Sequence, residues 1–122
     1  MNTHTASGHT NAITASRVIG TAVYNTAGDR IGSIEDVMLE KTSNGIMFAV
    51  IGFGGFLGVG EKFHAIPWSA LDYEPSKGGY VVPFTKEQLK AAPAYSINEL
   101  AGNDGQKARD ASYAYYQVDP YW

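Results

Sequence analysis

Apolar and polar positions along the chain alternate in short runs broken by glycine-rich turns, the pattern of a small β protein. Val18 to Tyr24, rich in Val, Ile, Thr and Tyr, predicts a first strand. Asn25 to Asp29 predicts a turn in which Gly28 carries the positive φ. Ile31 to Glu40 predicts a second strand that pairs with the first as a hairpin, with Gly32 marking a bulge or a close backbone approach. A period of two puts Ile31, Val37 and Leu39 on one face and Ile34 and Met38 on the other. Apolar residues on both faces suit a barrel wall that is covered outside.

The third strand is the most apolar. Asn44-Gly45 predicts a type I′ hairpin turn, with both residues at positive φ. Ile46 to Phe53 then runs without a polar residue, which predicts burial on both faces. One face fills a barrel; the other needs a helix, a tail or a partner subunit. A glycine-rich loop from Gly52 to Lys62 carries Phe56, Leu57 and Val59 before a second strand-like run ends at Pro67-Trp68. Phe56 and Leu57 would each gain roughly 1.5–3 kcal/mol from full burial. Folding back onto the barrel and a subunit interface both satisfy them. Trp68 and Leu71 are expected under the barrel, Asp72 to Glu74 as a resumed strand, and Tyr80 to Phe84 as the last strand, which Pro83 places at an edge.

Helical signals appear only late. Thr85 with Gln88 forms a capping box for a short helix stopped by Pro93, and Ser96 with Glu99 forms another. Gln106 to Gln117 suits a helix presenting Tyr113 and Tyr116. Five of the last ten residues are aromatic, namely Tyr113, Tyr115, Tyr116, Tyr121 and Trp122. That is too many for an idle tail, and docking onto the barrel or a neighbouring subunit is expected. The Thr, Ser, Asn, His and Gly of residues 1–15 read as a disordered leader. The chain therefore divides into that leader, a barrel domain over 16–93 and a tail over 94–122.

Composition narrows the function classes. At 122 residues the chain suits one domain with an accessory segment, and 44% hydrophobic with 17% charged residues is globular in character. A net charge of −3 without a Lys/Arg stripe lacks the footprint of a nucleic-acid binder. The absence of cysteine removes disulfides, thiol catalysis and cysteine–zinc sites. No apolar signal region and no 18-residue apolar span are visible, which makes the cytoplasm the default location and any membrane association peripheral.

Candidate chemistry is sparse. The loop glycines imitate a phosphate loop, but Glu61 follows Gly60 where Lys and Ser/Thr are required, and the residues after it read as extended. No helix N-terminus follows to hold a pyrophosphate. Glu35 and Asp36 are neighbours on a strand and point to opposite faces. His64 stands without a Ser nucleophile and reads as a packed histidine, while His4 and His9 lie in the leader. No catalytic, cofactor-binding or metal-ligating residue is assigned, and no enzymatic activity is expected.

The pattern Gly20-x-x-Val23, Gly28-x-x-Ile31-Gly32-x-Ile34-x-Asp36-Val37, the apolar third strand and Ile66-Pro67-Trp68-Ser69-Ala70-Leu71 resembles the PRC-barrel family. That domain forms the cytoplasmic end of the photosynthetic reaction-centre H subunit, and it recurs in ribosome maturation factors and in small stand-alone bacterial proteins. The resemblance covers about Ser16 to Pro93 and is greatest to the stand-alone group. It implies a mainly β fold, a small barrel of about five to six strands with a short helix after the last strand and an aromatic, partly helical tail. The surplus of apolar residues beyond what a small barrel core needs gives the expected role, a non-enzymatic protein-interaction or adaptor module, self-associating as a dimer or higher oligomer or binding another protein. Its candidate surface is Phe53, Phe56, Leu57, Val59, Tyr113, Tyr115, Tyr116, Tyr121 and Trp122. By analogy two other readings stand open: an RNA- or ribosome-associated factor, and a peripheral subunit of a photosynthetic or other membrane complex. The membrane helix of the reaction-centre subunit and the N-terminal domain of the ribosome factor are not visible here, so neither job carries over whole.

Overall fold

A computed structural model describes residues 11–53 and 62–122. Its centre is strand β3, Gly45–Phe53, flanked by β2, Arg30–Glu40, and β4, His64–Pro67. With β1 (Ala22–Asn25), β5 (Asp72–Glu74) and β6 (Gly79–Val82), the described residues form a six-stranded sheet in the order β4-β3-β2-β1-β6-β5. The β1–β6 pair is parallel and the others antiparallel, so the sheet is mixed. Met47 to Ile51 are buried on both faces of β3, as an unbroken apolar run requires.

The sheet rolls rather than lying flat. Its two edge strands, β4 and β5, are consecutive in sequence, joined by one 3₁₀ turn at Trp68–Ala70. The five residue steps from Pro67 to Asp72 reach about 17 Å at most. A flat six-stranded sheet would hold its edges about 24 Å apart. The edges therefore curl toward each other, although the described hydrogen-bonded ladder does not close between them. The result is a barrel with a slot beside β4. Its interior packs Val23, Ile34, Ile51, Ile66 and Val82, with Leu71 buried and Trp68 partly buried beneath.

Bulges set which residues face inward. Tyr24 and Val23 of β1 oppose Arg30 and Gly32, so Ile31 is an extra residue. A second irregularity between Ile34 and Asp36 leaves Glu35 without a ladder partner and re-aims the rest of the strand. Ile31, Ile34 and Val37 therefore all reach the interior cluster, and strict alternation fails. Leu39, expected beside them, is 62% exposed, and Met38 packs on the outer cluster. Gly32 marks a close approach, since a Cβ there would overlap the carbonyl oxygen of Gly52.

Three local expectations are corrected. Val18 closes a one-turn helix, α1 (Ala15–Val18), instead of opening a strand, because Gly20 at φ 90° redirects the chain before β1. The Asn44-Gly45 pair does not make a type I′ turn. Only Asn44 has positive φ, at 61°, and a four-residue loop (41–44) is closed by Asn44 N donating to Glu40 O at 2.9 Å. Pro83 does not mark an edge, since β6 lies between β1 and β5 and pairing ends at Val82.

The helices obey their caps. Thr85 and Gln88 form a full capping box on α2, Lys86–Ala91, and Ser96 and Glu99 another on α3, Ile97–Leu100. A turn at Gly102–Gly105 places Asn103, Asp104 and Gly105 consecutively at positive φ. Gly105 sits against Met38 and Met47, where a Cβ would stand 3.4 Å from each side chain. From that seat α4, Gln106–Tyr116, starts across the outer face of the barrel. Among the described residues no helix is long and apolar enough to cross a membrane.

Candidate interaction surface

Helix α4 fastens to the barrel by groups that a hydropathy reading discounts. Ala108, Arg109, Ser112, Tyr113 and Tyr116 form its buried stripe, and two of the five are strongly polar. Ala108 and Leu100 cover Met47, Phe48 and Val50 on the outer face of β3. Among the described residues strand β4 pairs only with β3 in the sheet, and the Ser112 hydroxyl donates to the Ala65 carbonyl at 2.7 Å. The helix thus satisfies part of an edge strand that would otherwise invite another chain. The Tyr113 hydroxyl donates at 3.3 Å to the carbonyl of Met47, the bulged residue between the Met38–Phe48 and Leu39–Ile46 pairs. The bulge displaces a ladder acceptor, and the phenol takes it up. Tyr116 enters the interior cluster and stacks on Phe84 with ring centroids 4.4 Å apart. Burial pushes its hydroxyl well above the ordinary tyrosine range.

The chain then reverses. Gln117 at φ 56° ends the helix, and Val118 N donates to Tyr113 O at 3.0 Å. Residues 118–122 return along α4 and place Trp122 over the Arg109 guanidinium, 3.7 Å from its centre. Tyr113 meets Tyr121 and Trp122 edge-on, with centroids 5.8 and 5.0 Å apart. Arg109 is also bonded to Asp110 Oδ1 at 3.0 Å. Burial works against its charge, but Tyr121 and Asp110 outweigh it and hold the guanidinium more firmly protonated than usual. Burial, with the neighbouring Tyr121, likewise raises the Tyr113 phenol. A shallow groove of about 400 Å³ opens between helix and returning tail, lined by Asp110, Tyr113, Gln117, Asp119, Pro120 and Trp122.

The nine expected surface residues separate. Tyr121 and Trp122 are 46% and 52% exposed and contact each other at 5.0 Å. Tyr115 is 36% exposed but faces α2, donating to Gln88 O at 2.6 Å, and does not join them. Tyr113 and Tyr116 are buried within this chain, so they support the surface from beneath and do not belong to it. Phe53 is half-buried and stacks on His64 with centroids 4.3 Å apart, inside the barrel's margin. Phe56, Leu57 and Val59 lie outside the described residues. Arg109 and Ser112 escape sequence reading because burial of an Arg and a Ser contradicts composition. The four- and one-residue spacings around Ala108, Ser112 and Tyr116 were the available signal.

A rolled sheet whose slot is covered by a docked helix defines a small, partly open β-barrel with a helical cap. The PRC-barrel domain model matches residues 10–89, and the chain belongs to that family. The matched span ends within α2, so α3, α4 and the aromatic end lie beyond it. The chain is also 26% identical over 86 residues, 70% of its length, to an uncharacterized protein of Deinococcus radiodurans. The match covers 30% of that relative, so the chain spans about a third of its length.

Proposed function

We propose that this PRC-barrel protein is a non-enzymatic interaction module that self-associates through its aromatic end and the apolar residues Phe56, Leu57 and Val59 that follow β3 in the sequence. The observation carrying this reading is the half-exposed Tyr121–Trp122 pair, packed on Arg109 and Tyr113 beside an open groove. Aromatic residues fixed in place lose little freedom on binding, and Tyr, Trp and Arg are the residue types that anchor interfaces. The two rings leave on the order of 200 Å² in water, roughly 5 kcal/mol of gross burial at 25 cal/mol/Å². A specific interface buries about 800 Å² per partner. We assign part of the remainder to Phe56, Leu57 and Val59, three apolar residues that follow β3 in the sequence.

Light scattering on wild type, on Tyr121→Ser with Trp122→Ser, and on Phe56→Asp with Leu57→Asp tests the reading. A wild-type dimer or larger species that both double variants reduce to monomer supports it. A monomeric wild type at high concentration removes the self-association.

A further inference from the structure

The tip of the β2–β3 hairpin links a carboxamide, a backbone amide, a hydroxyl and a carboxylate in consecutive contacts. Asn44 is exposed at φ 61°, and among the described residues its carboxamide makes no hydrogen bond. Gly45 follows it, and the Gly45 backbone N–H donates to Ser43 Oγ at 3.2 Å. The Ser43 hydroxyl in turn donates to Glu40 Oε1 at 2.8 Å. Asn44 N donates to Glu40 O at 2.9 Å, so the loop backbone is pinned while the Asn44 side chain is not.

Other asparagines of the chain supply the contrast. Asn25 is 6% exposed, and its Oδ1 accepts from Asp29 N at 3.0 Å. Asn98 and Asn103 are exposed, but Glu99 and Asp104 follow them. A side chain on the following residue crowds the backbone nitrogen, and glycine alone leaves it open to close approach. Asn103 is the nearest match, with φ 51°, yet among the described residues no hydroxyl accepts from the Asp104 amide. Only the Asn44 site joins an uncrowded amide nitrogen to a hydroxyl and a carboxylate.

We propose that Asn44 is a self-modification site, attacked by Gly45 N while Ser43 and Glu40 carry the proton. The nitrogen bonds to Asn44 Cγ and closes a cyclic imide. Its proton passes to Ser43 Oγ as the hydroxyl proton passes to the Glu40 carboxylate. The proton is then returned to the carboxamide nitrogen, whose bond to Cγ breaks, and ammonia leaves. Water, the only co-reactant, opens the imide at either carbonyl. The product is aspartate, or an isoaspartyl residue whose backbone runs through the former side chain. Either product adds one negative charge to a chain of net charge −3. The isoaspartyl form also lengthens the backbone of the loop that closes the β2–β3 hairpin.

Purified protein held at neutral pH, sampled over time, tests this by peptide mass spectrometry, which follows loss of ammonia and then gain of water at each asparagine. A positioned proton acceptor contributes about 10²–10⁴ in an enclosed site, so about tenfold is expected at this open one. Asn44 should therefore convert about tenfold faster than Asn103. Glu40→Gln keeps an acceptor for the Ser43 hydroxyl but removes the base, and should slow Asn44 conversion by about tenfold. Ser43→Ala should slow it as much. If these contacts only shape the loop, Ser43→Ala loosens it and speeds conversion, and Glu40→Gln changes nothing. Either of those results overturns the proposal, and so does conversion at Asn44 no faster than at Asn103. Circular dichroism checks the fold of each variant, and should Ser43→Ala unfold, Glu40→Gln alone decides.

Discussion

Substituting Ser112 by Ala isolates the contact that closes the β4 edge. The hydroxyl is 2% exposed and donates to the Ala65 carbonyl at 2.7 Å across the seam between α4 and the sheet. Ala65 is itself buried, and among the described residues its strand has a sheet neighbour on one side only. Removing the donor leaves a carbonyl with neither ladder nor water as partner. A buried acceptor left in that state costs about 1–3 kcal/mol, more than the bond's net worth of about 1 kcal/mol. For a domain of this size each kcal/mol lowers the melting temperature by about 4 °C, so a fall of about 4–12 °C is expected. Urea unfolding monitored by circular dichroism gives the same quantity as a lower midpoint with an unchanged slope. Ala114→Ser, on the exposed side of the same helix, serves as control and should shift stability by less than about 0.5 kcal/mol. A Ser112→Ala loss no larger than the control's would show that α4 does not rest on the β4 edge.

Other contacts give equally specific expectations. Gly32→Ala should cost about 1–3 kcal/mol in urea unfolding, because the new methyl overlaps the Gly52 carbonyl and both strands must shift. Thr85→Ala should cost about 1 kcal/mol by removing the α2 cap, while exposed Lys86→Ala should be near neutral. Hydrogen bonding to the Ser96 backbone, then its side chain and Lys62, holds the Glu99 carboxyl below its ordinary 4.5. Its contribution is present above that value and lost as pH falls through the depressed one, so Glu99→Gln, which removes the titrating carboxyl, should flatten the acid limb of a melting curve taken against pH. Arg109→Ala should free the returning tail, read as faster proteolysis after Gln117 and a changed Trp122 emission.

Much of the barrel was legible because its signals are local. The polar-free run of β3, both capping boxes and the close approach at Gly32 each arise from a few adjacent residues. Alternation could not anticipate the bulges. One extra residue at Ile31 and another near Glu35 move Ile34 onto the face of Val37 and leave Leu39 in solvent. Pro83 misled because a proline just past a strand and a proline on an edge read alike. The surface was half legible: aromatic crowding at the end of the chain is plain. Which rings are buried depends on where α4 lands, and that is set by a serine, an arginine and a bulged carbonyl.

If Tyr121 and Trp122 form a working contact surface, Trp122 reports on it directly. Replacing Trp68 by Phe leaves it as the sole tryptophan of the two in the chain. Acrylamide quenching of its emission is then measured across a dilution series that spans association by light scattering. The quenching constant should rise on dilution as the ring leaves a partner and returns to water. A constant that stays the same while the oligomer dissociates would place the interface elsewhere and contradict the role given to the aromatic end.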